Sequence, residues 1–407
     1  MLKYIPHVEP HMSETITKVE ISTTGKVIQS PCGPIIHGLE DVLVKTTSIS
    51  DIDGKKGILW YRGYNINDLA KYSNFEEVAY LIFNGRLPTK AELESFKSML
   101  AKERDLPDEV ISTIRVLAPR AHPMHVLEAA VAGLAAFDPD INDNSQEANF
   151  RKAVRLTAKL PSIIAAHYRF SRKLEYIKPK ESLSHSANFL YMMFGTEPDA
   201  TSTKAIDLYL VLHIDHEVPA STFGTLVAIS TWTDLYSAIV AGIATLKGPL
   251  HGGANEAAMK QYLEIGSPDK ARPYVEKMLG EGKRLMGVGH RVYKAYDPRA
   301  KIYKELVKEL SQSKGNMTYY NIASEVEAVV LEKLASKYLY PNIDFWSGIA
   351  MYLLGIPYEY YTPIFAMSRV VGWSAHAMEY LNQHRLFRPR ACYVGPHDVP
   401  YVPIEKR

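Results

Sequence analysis

From about residue 64 onward the chain reads as a succession of amphipathic helical segments, and that periodicity constrains its fold more than any other feature. In "SNFEEVAYLIFNG", Asn74 is placed as an N-cap and Gly85 falls just past the helix end. In "PTKAELESFKSML", Thr89 and Glu92 have capping-box spacing, and Leu93, Phe96 and Leu100 share one face. Segments of the same kind recur, among them "HVLEAAVAGLAAF", "NFRKAVRLTAKLPSIIAAHYRFSRKL" and "ASTFGTLVAISTWTDLYSAIVAGIATL", punctuated by proline or glycine. Strand signals are confined to the first sixty residues, in runs such as "KVEIS" and "DVLVKTTSIS". There Asp53-Gly54 sits between apolar runs in "SISDIDGKKGILWYRG" and predicts a hairpin. The fold class expected is mainly α, with one small N-terminal β element.

The chain has 407 residues, enough for two domains. Around residue 260 the helices become lysine-rich and more solvated, and near "LGIPYEYYTPI" apolar packing resumes. This predicts a large domain over 1–252, a smaller mobile domain over 253–355, and a return to the large domain with a C-terminal arm over 356–407. A formal net charge of +2 argues against a nucleic-acid or membrane partner. The first twenty residues are polar and lack the apolar core of a signal peptide, and no window approaches a membrane span. Two cysteines far apart, Cys32 and Cys392, make no disulfide framework and suit a reducing compartment. The expected location is the cytoplasm.

Four stretches set polar residues against apolar or glycine-rich neighbours. "LVLHIDHEVPAS" carries His213, Asp215, His216 and Glu217; read as helix it puts the histidines at i, i+3, without the HExxH spacing of a zinc hydrolase. Metal binding, a hydrogen-bonded core histidine, and ligand binding by His216 are all open. "LKGPLHGGANEAAM" places His251 beside Gly252 and Gly253 at the start of a helix, where the dipole keeps an imidazole neutral and able to donate to an enolate oxygen; a tight turn is the alternative. "RLMGVGHRVYKAYDPRAK" has His290 after a glycine-rich turn, but no P-loop lysine and no dinucleotide fingerprint. Arg291, Lys294 and Arg299 follow, either as a solvated basic face or as a cradle for anions. "LYPNIDFWSG" sets Asp344 among apolar residues, a setting for a general base with a raised pKa or for a helix cap. Arg369 lies inside an apolar helical stretch and needs an anion, and Arg388 stands at a proline-bounded exit.

Together, "GPLHGGANE", "GVGHRVYKAYDPRA", "PNIDFWSG", "SRVVGWSAH" and "RLFRPRACYVGP" resemble the motifs of the citrate synthase family, in order and at its spacing, from about residue 35 to the C-terminus. "HIDHEVPAST" looks most like archaeal members, and residues 1–34 lie largely outside the resemblance. The resemblance implies an all-α homodimer of two-domain subunits that condenses acetyl-CoA with oxaloacetate and water to give citrate and CoA. It places the catalytic roles at His251, His290 and Asp344. Oxaloacetate would be held by His216, Arg299, Arg369 and Arg388, the last reaching across to the neighbouring subunit. Coenzyme A, a co-substrate and not a resident cofactor, would be wrapped by Arg284, Leu285, Met286, Gly287 and Val288. Lys294 falls where some members use an arginine for the CoA phosphates, a point charge replacing a fork. No metal is implied. Three alternatives stay open: the same chemistry on propionyl-CoA, which one methylene separates by only about 1–3 kcal/mol, a non-catalytic binding relative, and a metal hydrolase built on His213, His216 and Glu217.

Overall fold

A computed structural model describes residues 27–383 and 385–407. It contains two small antiparallel sheets followed by helices, as the periodicity predicts. Strands β1 (Val27–Ser30) and β2 (Gly33–Ile36) pair with each other; β3 (Ser50–Asp53), β4 (Ile58–Tyr61) and β5 (Tyr64–Asn65) form the second sheet in sequence order. The run "KVEIS" lies outside the described residues, and of "DVLVKTTSIS" only Ser50 enters a strand. The β3–β4 hairpin stands where Asp53-Gly54 predicts it, with Asp53 opposite Ile58. Asp53 Oδ1 accepts from the amides of Lys55 and Lys56 at 3.1 and 2.9 Å, an Asx-type lock on the turn.

Helices fill the rest of the chain. The first eight are α1 (Ile66–Tyr72), α2 (Phe75–Asn84), α3 (Lys90–Lys102), α4 (Asp108–Leu117), α5 (Pro123–Leu134), α6 (Gln146–Ser171), α7 (His185–Phe194) and α8 (Ala200–His213). They are followed by α9 (Ala220–Ile229), α10 (Leu235–Leu246), α11 (Ala254–Ile265) and α12 (Ala271–Gly280). The last four are α13 (Pro298–Ser313), α14 (Thr318–Leu334), α15 (Ile343–Leu353) and α16 (Tyr361–Gln383).

The local signals act as read. Asn74 Oδ1 accepts from Glu77 N and Gly85 takes φ 75° beyond α2, while Thr89 and Glu92 form the reciprocal capping box of α3. The stretch from Ala220 to Leu246 is two helices, because Asp234 accepts from Ser237 N and starts α10. Helix α6 continues past an interior proline, Pro161, whose missing amide costs one helix hydrogen bond and which is buried in the core. The packing partner is α16, which is buried on nearly every face and touches α6, α8, α9 and α10. It is the spine of the core, and Arg369 sits at its centre.

Thr47–Phe387 forms one compact unit; the described residues before it join Arg388–Arg407 in a second. The second unit carries a disulfide between Cys32 and Cys392, with Cα atoms 5.6 Å apart. This corrects the expectation that two distant cysteines make no disulfide. Separation along the chain does not decide separation in space, and chain ends of compact domains often meet. It also withdraws the support that the cysteine count lent to a reducing compartment. Among the described residues no helix is long and apolar enough to cross a membrane.

The bridge closes a loop with a sequence separation of 360. In the chain-entropy account a loop of that length disfavours the unfolded state by about 6 kcal/mol. Reductant should therefore lower the denaturant midpoint of the wild-type protein and leave that of Cys392→Ser unchanged. A midpoint insensitive to reductant in both would show that the bridge carries no stability.

Candidate active site

Helix α8 ends at His213, whose Nδ1 donates to Tyr209 O at 2.7 Å while the ring stacks on Tyr209. His213 is thus a core histidine at a helix end. His216 lies beyond the helix, so the i, i+3 reading of this pair is corrected: the chain leaves α8 and turns through Glu217 at φ 57°, a left-handed conformation costly for a non-glycine residue. The hairpin sheet holds that turn. Ser50 Oγ accepts from Glu217 N at 2.9 Å and donates to Asp215 Oδ2 at 2.6 Å, and Tyr61 OH donates to Asp215 O at 3.0 Å. The buried Asp215 carboxylate also meets His376 Nε2 at 3.1 Å. Arg369, on α16, donates from Nε to His213 O at 2.7 Å and lies over the Phe365 ring. Its terminal nitrogens have no protein partner among the described residues, which leaves them for an anion.

Residues 287–299 supply the next groups. Gly287 adopts φ 73°, and a Cβ there would stand 2.7 Å from Phe345 Cα, so only glycine lets this loop lie against the start of α15. Asn342 fastens the same junction: its amide donates to Gly287 O at 2.9 Å and its Nδ2 to Gly289 O at 2.8 Å. The Asn342 side chain is also the N-cap of α15, accepting from Asp344 N at 3.0 Å. Asp344 is therefore not the cap; among the described residues no donor meets its carboxylate. His290 Nδ1 accepts from the amides of Val292 and Tyr293 at 3.0 and 3.2 Å. Two donors on Nδ1 leave the ring proton on Nε2. Tyr293 OH meets His216 Nε2 at 3.2 Å, and the rings of His216, His290 and Tyr293 are mutually packed within 5.3 Å.

Arg299 lies in the first turn of α13 and is gripped by Asp297, from Nε at 3.1 Å and from Nη2 at 2.8 Å. Asp297 Oδ1 also accepts from Arg299 N at 3.0 Å and Oδ2 from Ile343 N at 3.1 Å. One carboxylate thus ties the first turns of α13 and α15.

His251 sits in the turn before α11. The turn reading and the site reading both hold, because His251 N donates to Gly248 O while the side chain reaches Ser221. Ser221 Oγ meets His251 Nε2 at 2.8 Å and accepts from Trp373 Nε1 at 3.2 Å, leaving Nδ1 open to a ligand. The neighbouring Gly252 serves the protein's own packing, since a Cβ would strike Leu246 O at 2.4 Å.

Burial, and then the positive charge of Arg369, lowers the His251 pKa to about 4. Burial does the same for His290, also to about 4, and drives His216 well below its usual range with Arg299 and His290 adding to the effect. All three imidazoles are neutral at pH 7. Burial pushes Asp344 up to about 6, against the pull of Arg299 and Arg369. Burial opposes ionisation of Asp297, yet Arg299 holds its carboxylate low; Asp215 is held low in the same way by His376 and Arg369. The result is two buried arginines, Arg299 gripped by Asp297 and Arg369 within the field of Asp215, together with neutral hydrogen-bond donors and one weak base. That set suits a small dianion and proton removal from carbon beside it.

His216, Tyr293, His290 and Arg299 cluster by direct contact, Asp344 lies in the fields of Arg299 and Arg369, and His251 lies in the field of Arg369. Leu285 and Gly287 are buried, whereas Arg284, Met286 and Lys294 are exposed and Val288 is bridged to Pro341. Arg388 belongs to the smaller unit, where it donates to Pro389 O. Sequence reasoning missed Ser221, Tyr293, Asn342 and the anchoring role of Asp297. Only the Asn342 cap and the Asp297-Pro298 helix start leave a local signal.

A family model described as the C-terminal domain of citrate synthase matches residues 38–390. Over 376 residues the chain is 46% identical to citrate synthase of Saccharolobus solfataricus, covering 92% of this chain and 99% of the relative. The crystal structure of citrate synthase from Pyrobaculum aerophilum superposes with a TM-score of 0.91 at 58% identity, over 96% of this chain and 100% of that one. A ternary complex of Thermoplasma acidophilum citrate synthase with carboxymethyl coenzyme A and oxaloacetate superposes with a TM-score of 0.86 at 42% identity, over 91% and 98% of the two chains. By the match over residues 38–390 and by these relatives, the chain belongs to the citrate synthase family.

Proposed function

We propose that the enzyme condenses acetyl-CoA with oxaloacetate and water to give citrate and CoA, with Asp344 as the base. One observation carries this reading: a carboxylate whose pKa burial raises to about 6, with no donor of its own among the described residues, lies in the fields of Arg299 and Arg369, while neutral His251 lies in the field of Arg369 and neutral His290 in that of Arg299. Arg369, Arg299 and His216 bind the carboxylates of oxaloacetate. His290, with its proton on Nε2, donates to the ketone oxygen. Asp344 takes a methyl proton from acetyl-CoA, and His251 donates from Nδ1 to the enolate oxygen while the Ser221 hydroxyl donates to Nε2. The enolate carbon then attacks the ketone carbon, and water cleaves the thioester of the resulting citryl-CoA, releasing CoA and citrate. Arg284 to Val288 wrap the CoA chain and Lys294 meets its phosphates.

The reading extends to a cytoplasmic homodimer in which Arg388 completes the neighbour's oxaloacetate site, and residues 253–355 close over bound substrate. The C-terminal segment supports an interface, because Leu386, Val394 and Tyr401 are more than half exposed.

Asp344→Asn keeps shape but removes basicity. It should lower the rate by about 10²–10⁴ while sparing oxaloacetate affinity. With a non-reacting oxaloacetate analogue bound, wild type should exchange the acetyl-CoA methyl hydrogens with solvent deuterium and Asp344→Asn should not. Equal exchange in both would remove Asp344 from the base role.

The pH profile has a definite sign. A base must be ionised to act, and burial raises the Asp344 pKa to about 6. So kcat/KM should fall about tenfold per pH unit below that value. The histidines, neutral above about 4, contribute nothing to this limb. An acid limb centred below pH 5 would contradict the assignment.

Arg388→Ala and Asp344→Asn subunits should each be nearly inactive alone, and mixed dimers should regain activity at one of two sites. No recovery in confirmed mixed dimers would overturn the shared site.

A further inference from the structure

The segment that carries His290 and Tyr293 has no regular structure from 290 to 296. Within it, His290 Nδ1 consumes the amides of Val292 and Tyr293, so those amides orient the ring without anchoring the segment to anything else. Among the described residues its single backbone–backbone hydrogen bond runs from Lys294 N to Gly54 O, at 2.8 Å. Gly54 belongs to the β3–β4 turn, far away in sequence and so far given no part in the chemistry.

The approach of the two segments is close at two places. A Cβ on Gly54 would stand 2.4 Å from Val292 O, and one on Gly57 would stand 2.8 Å from Tyr296 O and 3.2 Å from Ala295 Cβ. Carbonyl oxygens do not yield at such distances, so either substitution must separate the turn from the segment. The turn itself is stiff, because Asp53 locks it through the amides of Lys55 and Lys56, and because β3 and β4 hold the Ser50 and Tyr61 contacts to Asp215. The sheet therefore presses on the site at two points: its strands hold the His216 turn, and its tip holds the His290 segment.

We infer that Gly54 and Gly57 are positioning residues: the hairpin tip docks on residues 292–296 and so sets where the His290 Nε2–H and the Tyr293 hydroxyl point. The inference rests on the proposed role of His290 in polarising the ketone. Neither Asp344 nor His251 takes a hydrogen bond from residues 290–296: Asn342 accepts from Asp344 N, Ser221 meets His251, and the Asp297 carboxylate that ties Ile343 N lies beyond the docked residues. Loss of docking must therefore separate the two halves of the reaction. Carbon–carbon bond formation suffers, while proton removal from acetyl-CoA continues.

The experiment compares wild type, Gly54→Ala, Gly57→Asn and Gly280→Ala in two assays. Asparagine is chosen at Gly57 because it tolerates the φ of 67° and still adds a Cβ. Gly280, at the end of α12, has open space around it and serves as the control. Gly54→Ala and Gly57→Asn should each lower kcat for condensation by about 10–100-fold, the effect of misplacing a reacting group by about an ångström. Their exchange of acetyl-CoA methyl hydrogens with solvent deuterium, measured with a non-reacting oxaloacetate analogue bound, should stay within about twofold of wild type, and Gly280→Ala should match wild type in both assays. If the alanine variant does not fold, the asparagine variant is read alone; if neither folds, the tip is a folding element and the inference is wrong. Unchanged condensation in a folded variant, or equal losses in both assays, would also overturn it. Failure of wild type itself to make citrate would instead overturn the proposed function.

Discussion

Asp297 is the constraint on which the rest of the site depends. Its carboxylate is buried, yet four hydrogen bonds satisfy it: the Arg299 amide, Nε and Nη2, and the Ile343 amide. A buried carboxylate is costly unless it is paired and fully hydrogen-bonded, and here both conditions are met. Two of its donors are amides in the first turns of α13 and α15, where helices leave such groups unsatisfied. One side chain thus closes two helix ends, aims Arg299 and fixes the turn that presents Asp344. The Asn342 cap, bonded at once to the 287–289 loop and to Asp344 N, completes the junction.

The arrangement around Arg369 is looser. Its charge, after that of His376, helps hold the buried Asp215 low, but the Asp215 carboxylate is hydrogen-bonded to Ser50 and His376 and not to the guanidinium. The Asp297 pair keeps the Arg299 charge tolerable before any ligand arrives, and the negative Asp215 nearby does so at longer range for Arg369, while unused guanidinium nitrogens remain for an anion. The same desolvation that makes those charges expensive keeps the three histidines neutral and raises Asp344. Burial, as the largest cause at each group, therefore produces donors that do not carry charge and a base that is weak but not inert. No separate device is needed for each residue.

The helices and their caps were legible in the sequence because caps and periodicity are local. Asn74, Gly85, Thr89 and Glu92 do what their spacing says. So does the Asp53-Gly54 hairpin. The polar residues of the site were legible for a related reason: Asp344 and Arg369 stand out in apolar surroundings, where an ionisable group requires an explanation. Ser221 and Tyr293 stand in ordinary company, and nothing within several residues of them signals that they hold His251 and His216.

The sequence by itself determined the helical class, the segment boundaries set by caps, and the identity of the groups able to do the chemistry, because these follow from backbone capping and from what each side chain can donate, accept or bind. Only the tertiary structure decided that α8 stops at His213, that Asn342 and not Asp344 caps α15, and that Cys32 meets Cys392. It also decided the protonation states, since the shift of a pKa depends on burial and on charges brought from distant segments. Contacts such as Gly54 with Val292 belong to the same category. They arise where two backbones approach, and a glycine reveals nothing of its neighbour until the chain has folded.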